Sequence, residues 1–196
     1  MKPLNTCPKI IMHDTLKPWK LLDSREIFLV PDRITVSSQA IELANGERYE
    51  PYYRVGLSDQ AWMIAQTDDD RIICQTQYKH GPQKISLTLP GGIVDPGEEP
   101  LETAQRELLE ETGYVCQDWK HLGSFCRNNN QYCGEEHFFW GTGAKWTQDP
   151  DPTTNLEEIH TLLLAREEVS NALANGDAPV LGHFAGLLMA LQQMSR

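Results

Sequence analysis

Residues 92–114 carry the pattern that most constrains this chain: a glycine-rich loop, then a helix, then a hard stop. Pro96 and Gly97 form a turn, and Pro100 suits the first turn of a helix, where its missing N–H costs nothing. Gly113 ends that helix as a left-handed cap, leaving roughly twelve helical residues between. At about 100° per residue, Glu107, Glu110 and Glu111 fall within one arc of ~100°. Leu101, Ala104 and Leu108 occupy a neighbouring arc. The helix can therefore bury one side and present three carboxylates on another. Like charges three or four residues apart repel by roughly 0.2–0.5 kcal/mol a pair, so something must compensate them. Hard divalent cations want clustered carboxylate oxygens. A solvated acidic face is the alternative for E-x-x-E-E alone.

The wider spacing decides between these. The stretch spells G-x5-E-x7-R-E-U-x-E-E-x-G-U, with U bulky and apolar or aromatic, through Gly92, Glu98, Arg106, Glu107, Leu108, Glu110, Glu111, Gly113 and Tyr114. At ~7% per fixed residue, chance gives this on the order of once in a billion starting points. The chain resembles the Nudix hydrolases, whose box this is. Tyr114 stands where an aliphatic residue is commoner.

Outside the box, composition mainly excludes. A length of 196 residues fits one domain, or one with an appendage, and 40% apolar residues suffice for a core. The net charge of −11 argues against a nucleic-acid partner, which needs clustered Lys and Arg. An anionic substrate must then be drawn in by a local feature such as bound metal. Residues 1–14 lack the apolar core of a signal peptide, and no apolar run is long enough to span a membrane. Cys7, Cys74, Cys116, Cys126 and Cys133 lack C-x-x-C spacing, which points to free thiols in a reducing cytoplasm rather than a zinc site.

Taken in order, residues 1–24 read as an irregular arm and 26–30 as a short apolar run. Residues 34–43 and 48–55 form a hairpin around Asn45-Gly46, with Pro51 marking an exposed edge. Strands follow at 61–65, 71–78 and 85–89; Asp68-Asp69-Asp70 between the first two reads as a solvated turn, not a metal site. After the helix come strands at 121–126, 136–140 and 158–164. Residues 127–134 and 148–155 read as loops. Helices at 166–174 and 179–194 close the chain, the last burying Leu181, Phe184, Leu188 and Leu191. The expected fold is α/β, a mixed sheet sandwiched by helices. That matches the α/β/α sandwich the resemblance implies, preceded by a small N-terminal hairpin region. The expected division is 1–57, arm and hairpin, then 58–196, the hydrolase domain.

The resemblance also implies roles. Glu107 and Glu111 are similar to the family's principal metal-binding glutamates, with Glu110 sharing that task or polarising water, and the Gly91 carbonyl supplying a backbone ligand. The implied cofactor is Mg2+ or Mn2+. Arg106 resembles the residue that orients the glutamates, although its spacing equally allows a surface pair with Glu102 or Glu110. Glu98 resembles a loop-bracing partner; Gly92 and Gly113 shape the box. More loosely, over residues 19–193, the hairpin, the run Gln77-Tyr78-Lys79-His80-Gly81 and the strand order look like the ADP-ribose pyrophosphatase branch. There an N-terminal sheet commonly exchanges across a homodimer and helps hold adenine, and basic residues at the places of Arg54 and Lys79 meet substrate. Solvated charges are the alternative for both. The branch usually reads L-P-A-G where this chain has Leu89-Pro90-Gly91-Gly92, and often has a proline where Arg127-Asn128-Asn129-Asn130 stands. A further downstream glutamate is expected at Glu157 or Glu158, with Glu135 and Glu136 next. His137 and His160 read as hydrogen-bonded strand residues. The implied activity is metal-dependent hydrolysis of a nucleoside diphosphate linked to another moiety, ADP-ribose or a related nucleotide sugar first. Other diphosphates such as a dinucleotide, and a non-hydrolysing nucleotide sensor, are the alternatives.

Overall fold

The computed structural model describes residues 16–151 and 158–194. In chain order the elements are β1 (Lys20–Val30), β2 (Ile34–Glu42), β3 (Arg48–Leu57), β4 (Gln60–Thr67), β5 (Ile72–Lys79), β6 (Lys84–Thr88) and β7 (Gly91–Ile93). There follow α1 (Pro100–Thr112), β8 (Tyr114–Val115), β9 (Asp118–Asn128), β10 (Tyr132–Trp146), β11 (His160–Leu164), α2 (Arg166–Asn175) and α3 (Leu181–Gln193). The sheet order is β1-β2-β3-β10-β4-β5-β11, with β6 on β5, β7 on β4, and β8 and β9 on β10.

Strands buried on both faces organise the core. Along β4, Ala61, Met63 and Ala65 pack with Ala104 and Leu108 of α1, while Ile64 faces the other way. On β5, Ile73 joins the α1 side, and Ile72 and Cys74 pack with Val169 of α2 and Leu187 and Ala190 of α3. Such strands read as continuous apolar runs because water reaches neither face. The pairing is mixed: β10 runs parallel to β4 and antiparallel to β9. This is the expected α/β/α sandwich.

Three local expectations are corrected. Residues 20–24 belong to β1 rather than to an irregular arm; they ladder onto β2 from Lys20↔Glu42 to Ser24↔Gln39. Backbone pairing orders a segment whose side chains show no period. The hairpin is therefore a three-stranded antiparallel sheet, joined to the core where Val55 meets Tyr132. Residues 127–134 are not a loop: β9 runs through Asn128 and β10 begins at Tyr132. The Asn128 side chain makes the short turn by accepting the N–H groups of Asn130 at 2.9 Å and Gln131 at 2.7 Å.

The third correction concerns α3. Leu181 is 75% and Leu188 44% exposed, while Gly182, His183, Gly186, Leu187 and Ala190 are buried. A Cβ on Gly186 would overlap Leu89 and stand 3.1 Å from Phe138 Cε1. The helix thus seats its smallest residues against the sheet, and closeness of approach outweighs the leucine pattern. Burial pushes the pKa of His183 down to about 3, and its Nδ1 accepts the Leu89 N–H at 3.2 Å. The ring is a neutral tie between helix and sheet. Overpacking here costs about 1–3 kcal/mol. Gly186→Val should destabilise by that amount in urea unfolding, whereas Leu181→Gln should stay within about 0.5 kcal/mol. The reverse order would restore the leucine face as the buried one.

Candidate active site

The site begins where β6 hands the chain to Gly91 and Gly92, which pair with Trp62 and Ala61 of β4. Gly91 lies against the Trp62 ring, and a Cβ there would stand 2.6 Å from the Ala61 carbonyl. On Gly92 a Cβ would fall on the Glu107 carboxylate, which would have to move from its place on Arg106 to make room. The loop turns at Gly97, φ 88°, and α1 starts with Pro100 in its first turn. The Glu102 carboxylate accepts the Glu99 N–H at 3.2 Å, satisfying a free amide at the helix start. Gly113, φ 75°, ends the helix; its N–H reaches the Leu109 carbonyl.

Arg106 is the hub. Its guanidinium grips Glu98 with two bonds, Nε to Oε1 and Nη2 to Oε2, both 3.0 Å. Nη1 reaches Glu107 at 2.8 Å and Glu110 at 3.3 Å. Of the pairs the spacing allowed, that with Glu110 forms, and Glu102 is engaged at the helix start instead. The Arg106 guanidinium holds the Glu98 carboxyl down to about 2, and Thr103 Oγ1 adds a hydrogen bond at 2.8 Å. Glu98 therefore ties the loop to the helix.

Glu111 lies deeper, 9% exposed. Its Oε2 accepts the Gly91 N–H at 3.1 Å and the Gln75 amide at 3.2 Å. Burial nevertheless pushes its pKa up to about 7, with the Glu107 charge adding to the rise. Burial raises Glu107 as well, against the pull of Arg106. The half-buried Lys79 lies near enough to pull the Glu111 value down.

The remaining expected residues fall elsewhere. The Arg54 guanidinium sits 3.9 Å from the centroid of the Tyr132 ring, where the N-terminal sheet meets β10. Glu158 is exposed, its Oε1 3.0 Å from His160 Nε2; Glu157 lies outside the described residues. Glu136 is 3.6 Å from Arg127 Nε, close to the start of α3. His137 Nδ1 lies 2.7 Å from Ser124 Oγ. Sequence reasoning missed Gln75, Gln77 and His183. The signal for the glutamines was an i, i+2 pair of amides in a strand otherwise made to be buried.

The donors suit a hard divalent cation, since the Glu107, Glu110 and Glu111 carboxylates and the Gly91 carbonyl are all oxygen. Burial is the main cause that raises Glu111 and Glu107, and a nearby cation would favour their charged forms. Among the described residues no three His, Cys, Asp or Glu side chains already surround one point. Arg106 holds Glu107 and Glu110 as a cation would. The fit lies in donor chemistry, not in a closed cage.

A carboxyl with a raised folded value stabilises the fold while protonated and loses that contribution as pH rises. For Glu111 the window runs from the ordinary carboxyl value of 4.5 to about 7. In EDTA, Glu111→Gln should gain on wild type as pH rises through this window, by at most roughly 3–4 kcal/mol at ~1.4 kcal/mol per pKa unit. Melting curves at pH 5 and pH 8 read this directly. A difference that does not change with pH would mean that the Glu111 carboxyl is not held neutral by burial.

Comparison with known proteins agrees with this geometry. The NUDIX domain family model matches residues 57–184. The chain is 30% identical over 158 residues, 81% of its length and 75% of the other, to a CMP-5'-(N-acetyl-N-hydroxy-3-aminopropyl)phosphonate hydrolase of Streptomyces rubellomurinus. It is 37% identical over 93 residues to the ADP compounds hydrolase NudE of Escherichia coli, covering 45% of this chain and 47% of that enzyme. A crystal structure of an ADP compounds hydrolase shares the fold with a TM-score of 0.78 at 20% identity, over 92% of this chain and 96% of that one. With the box folded as a glycine loop against a carboxylate helix, and a family match over most of its length, the chain belongs to the Nudix family.

Proposed function

We propose that the protein is a metal-dependent pyrophosphohydrolase cleaving a nucleoside diphosphate linked to another moiety, with ADP-ribose or a related nucleotide sugar foremost. The observation that carries this reading is the oxygen cluster: Glu107 over Gly92, Glu111 on the Gly91 N–H, and Glu110 beside them on Arg106. Mg2+ or Mn2+ would be held by Glu107, Glu111, Glu110 and the Gly91 carbonyl, neutralising the diphosphate and acidifying the attacking water. Glu110 is half-buried and within reach of the same space, so it can take the water's proton during in-line attack on phosphorus. Glu157 or Glu158 is the other candidate base. Arg106 keeps Glu107 and Glu110 oriented through its anchor on Glu98. Lys79 meets the substrate's phosphates, and Arg54 reaches its nucleoside end. The products are a nucleoside monophosphate and a sugar phosphate.

The substrate preference follows the ADP compounds hydrolase matched above. A second reading, a cytidylyl-linked phosphonate, is favoured by the relative that spans 81% of this chain. A non-hydrolysing sensor is the reading from another class, and the full set of box glutamates weighs against it.

Residues 1–57 act in this reading as an appended region that pairs two copies. β1 carries Leu21, Leu22, Ile27, Phe28 and Leu29 exposed, and its outer edge has no strand partner among the described residues. A long exposed apolar edge strand favours another chain, here a second copy. Cys74 and Cys116, both driven up to about 12 by burial, are inert thiols compatible with a cytoplasmic setting. Among the described residues no helix is long and apolar enough to cross a membrane.

Incubation with Mg2+ and a panel of ADP-ribose, nucleotide sugars, dinucleotides and cytidylyl phosphonates should release nucleoside monophosphate, read by chromatography. No product from any of them moves the assignment to the sensor. Gln at position 110, 157 or 158 should lower kcat by ~10²-fold at whichever residue is the base. Light scattering should give a dimer mass, and Phe28→Asp should shift it to monomer; a monomeric wild type removes the proposed partner.

A further inference from the structure

β5 places polar side chains where its neighbours are apolar. Ile72, Ile73 and Cys74 are fully buried, and so are Gln75 at 0% and Gln77 at 5% exposure, with Thr88 of β6 at 0%. Buried amides are costly unless each finds a partner. Here they partner one another. Gln77 Nε2 donates to Thr88 Oγ1 at 2.9 Å and to Gln75 Oε1 at 3.4 Å, and Thr88 Oγ1 donates to the Gln75 carbonyl at 3.4 Å. With its oxygen taken by Gln77, the Gln75 amide has one way to face: Nε2 points at Glu111 Oε2, 3.2 Å away. The Gly91 N–H reaches that same oxygen at 3.1 Å. Two donors, one from the loop and one from the sheet, converge on a single oxygen.

We propose that Gln75 is a positioning residue for the Glu111 carboxylate, pinning Oε2 so that Oε1 alone is presented to the cation. This rests on the reading of Glu111 as a metal-binding carboxylate. Gly91 alone would leave the carboxylate free to pivot about one hydrogen bond, and the second donor removes that freedom. Because Gln77 and Thr88 set the orientation of the Gln75 amide, the polar ladder is one supporting unit rather than three separate buried groups. It lies on the face of β5 whose Ile73 packs against α1, and apolar side chains in its place would supply no donor. Gln75, Gln77 and Thr88 are all buried, and the contact the ladder makes with the carboxylate helix is the bond from Gln75 to Glu111, so its influence passes through Glu111.

The test is a cycle of four full-length proteins: wild type, Gln75→Met, Glu111→Gln and the double variant. Methionine keeps the length of glutamine and removes both polar ends. Loss of such a supporting donor typically costs about 10–100-fold in metal affinity or activity. Gln75→Met should therefore weaken Mn2+ binding, read by the free-ion electron paramagnetic resonance signal, by about tenfold, with a similar fall in kcat and an unchanged nucleotide KM. In the Glu111→Gln background the same substitution should leave Mn2+ affinity unaltered, because the carboxylate it positions is gone. Equal losses in both backgrounds, or a Gln75→Met protein with wild-type Mn2+ affinity, would overturn the proposal. Should Gln75→Met fail to fold, as shown by lost near-ultraviolet dichroism, Thr88→Val loosens the ladder one step away. It should reduce Mn2+ affinity a few-fold, in the wild-type background only; no change would equally overturn it. A wild type that cleaves no nucleotide defeats the enzymatic reading. The Mn2+ cycle still reads whether Gln75 acts on Glu111.

Discussion

A single guanidinium holds the acidic end of this molecule together. Arg106 forks onto Glu98 and touches Glu107 and Glu110, so three carboxylates from a loop and a helix share one cation. Their mutual repulsion amounts to a few tenths of a kcal/mol for each helical pair. A charge-assisted hydrogen bond contributes about 1.5–3 kcal/mol before discounting for a guanidinium that is one third exposed, so attraction wins. Among the described residues, the ion pairs from the loop of residues 93–99 to α1 run through Arg106, to Asp95 and Glu98. Glu111 is the exception. It takes its hydrogen bonds from two neutral donors, the Gly91 N–H and the Gln75 amide, with the Lys79 charge close enough to lower its pKa, and burial still holds that value up.

The division of labour across the sheet follows from strand alternation. One face of β4 and β5 packs α1 and its glutamates; the other packs α2 and α3. On β5 the side chains that face Glu111 are amides where the opposite face has Ile72 and Cys74. His183 serves the opposite side, tying α3 to the Leu89 backbone two residues before Gly91. The glycine loop is thus held from above by α1 and from below by α3. A rigid loop is what a site that works by positioning needs.

The solved ADP compounds hydrolase keeps this architecture at 20% identity. In this chain the box is built from local parts: a turn at Gly97, a helix with Pro100 in its first turn and Gly113 at its end, and the Arg106–Glu98 ion pair.

Sequence alone determined the loop–helix–stop of the box, because each part rests on local chemistry: Pro100 at the helix start, Gly113 at a positive φ, glutamates at helical spacing. It also determined the strands of the core, whose apolar runs are set by burial on both faces. Tertiary structure decided the rest. Arg106 could choose its partners only once residue 98 had been folded back beside the helix. The buried face of α3 went to Gly182, His183, Gly186, Leu187 and Ala190, since the gain from close approach is a property of two surfaces and not of one period. Residues 20–24 became strand through hydrogen bonds to a segment about twenty residues away. Gln75 met Glu111 across a separation of 36 residues, a contact that no local pattern encodes.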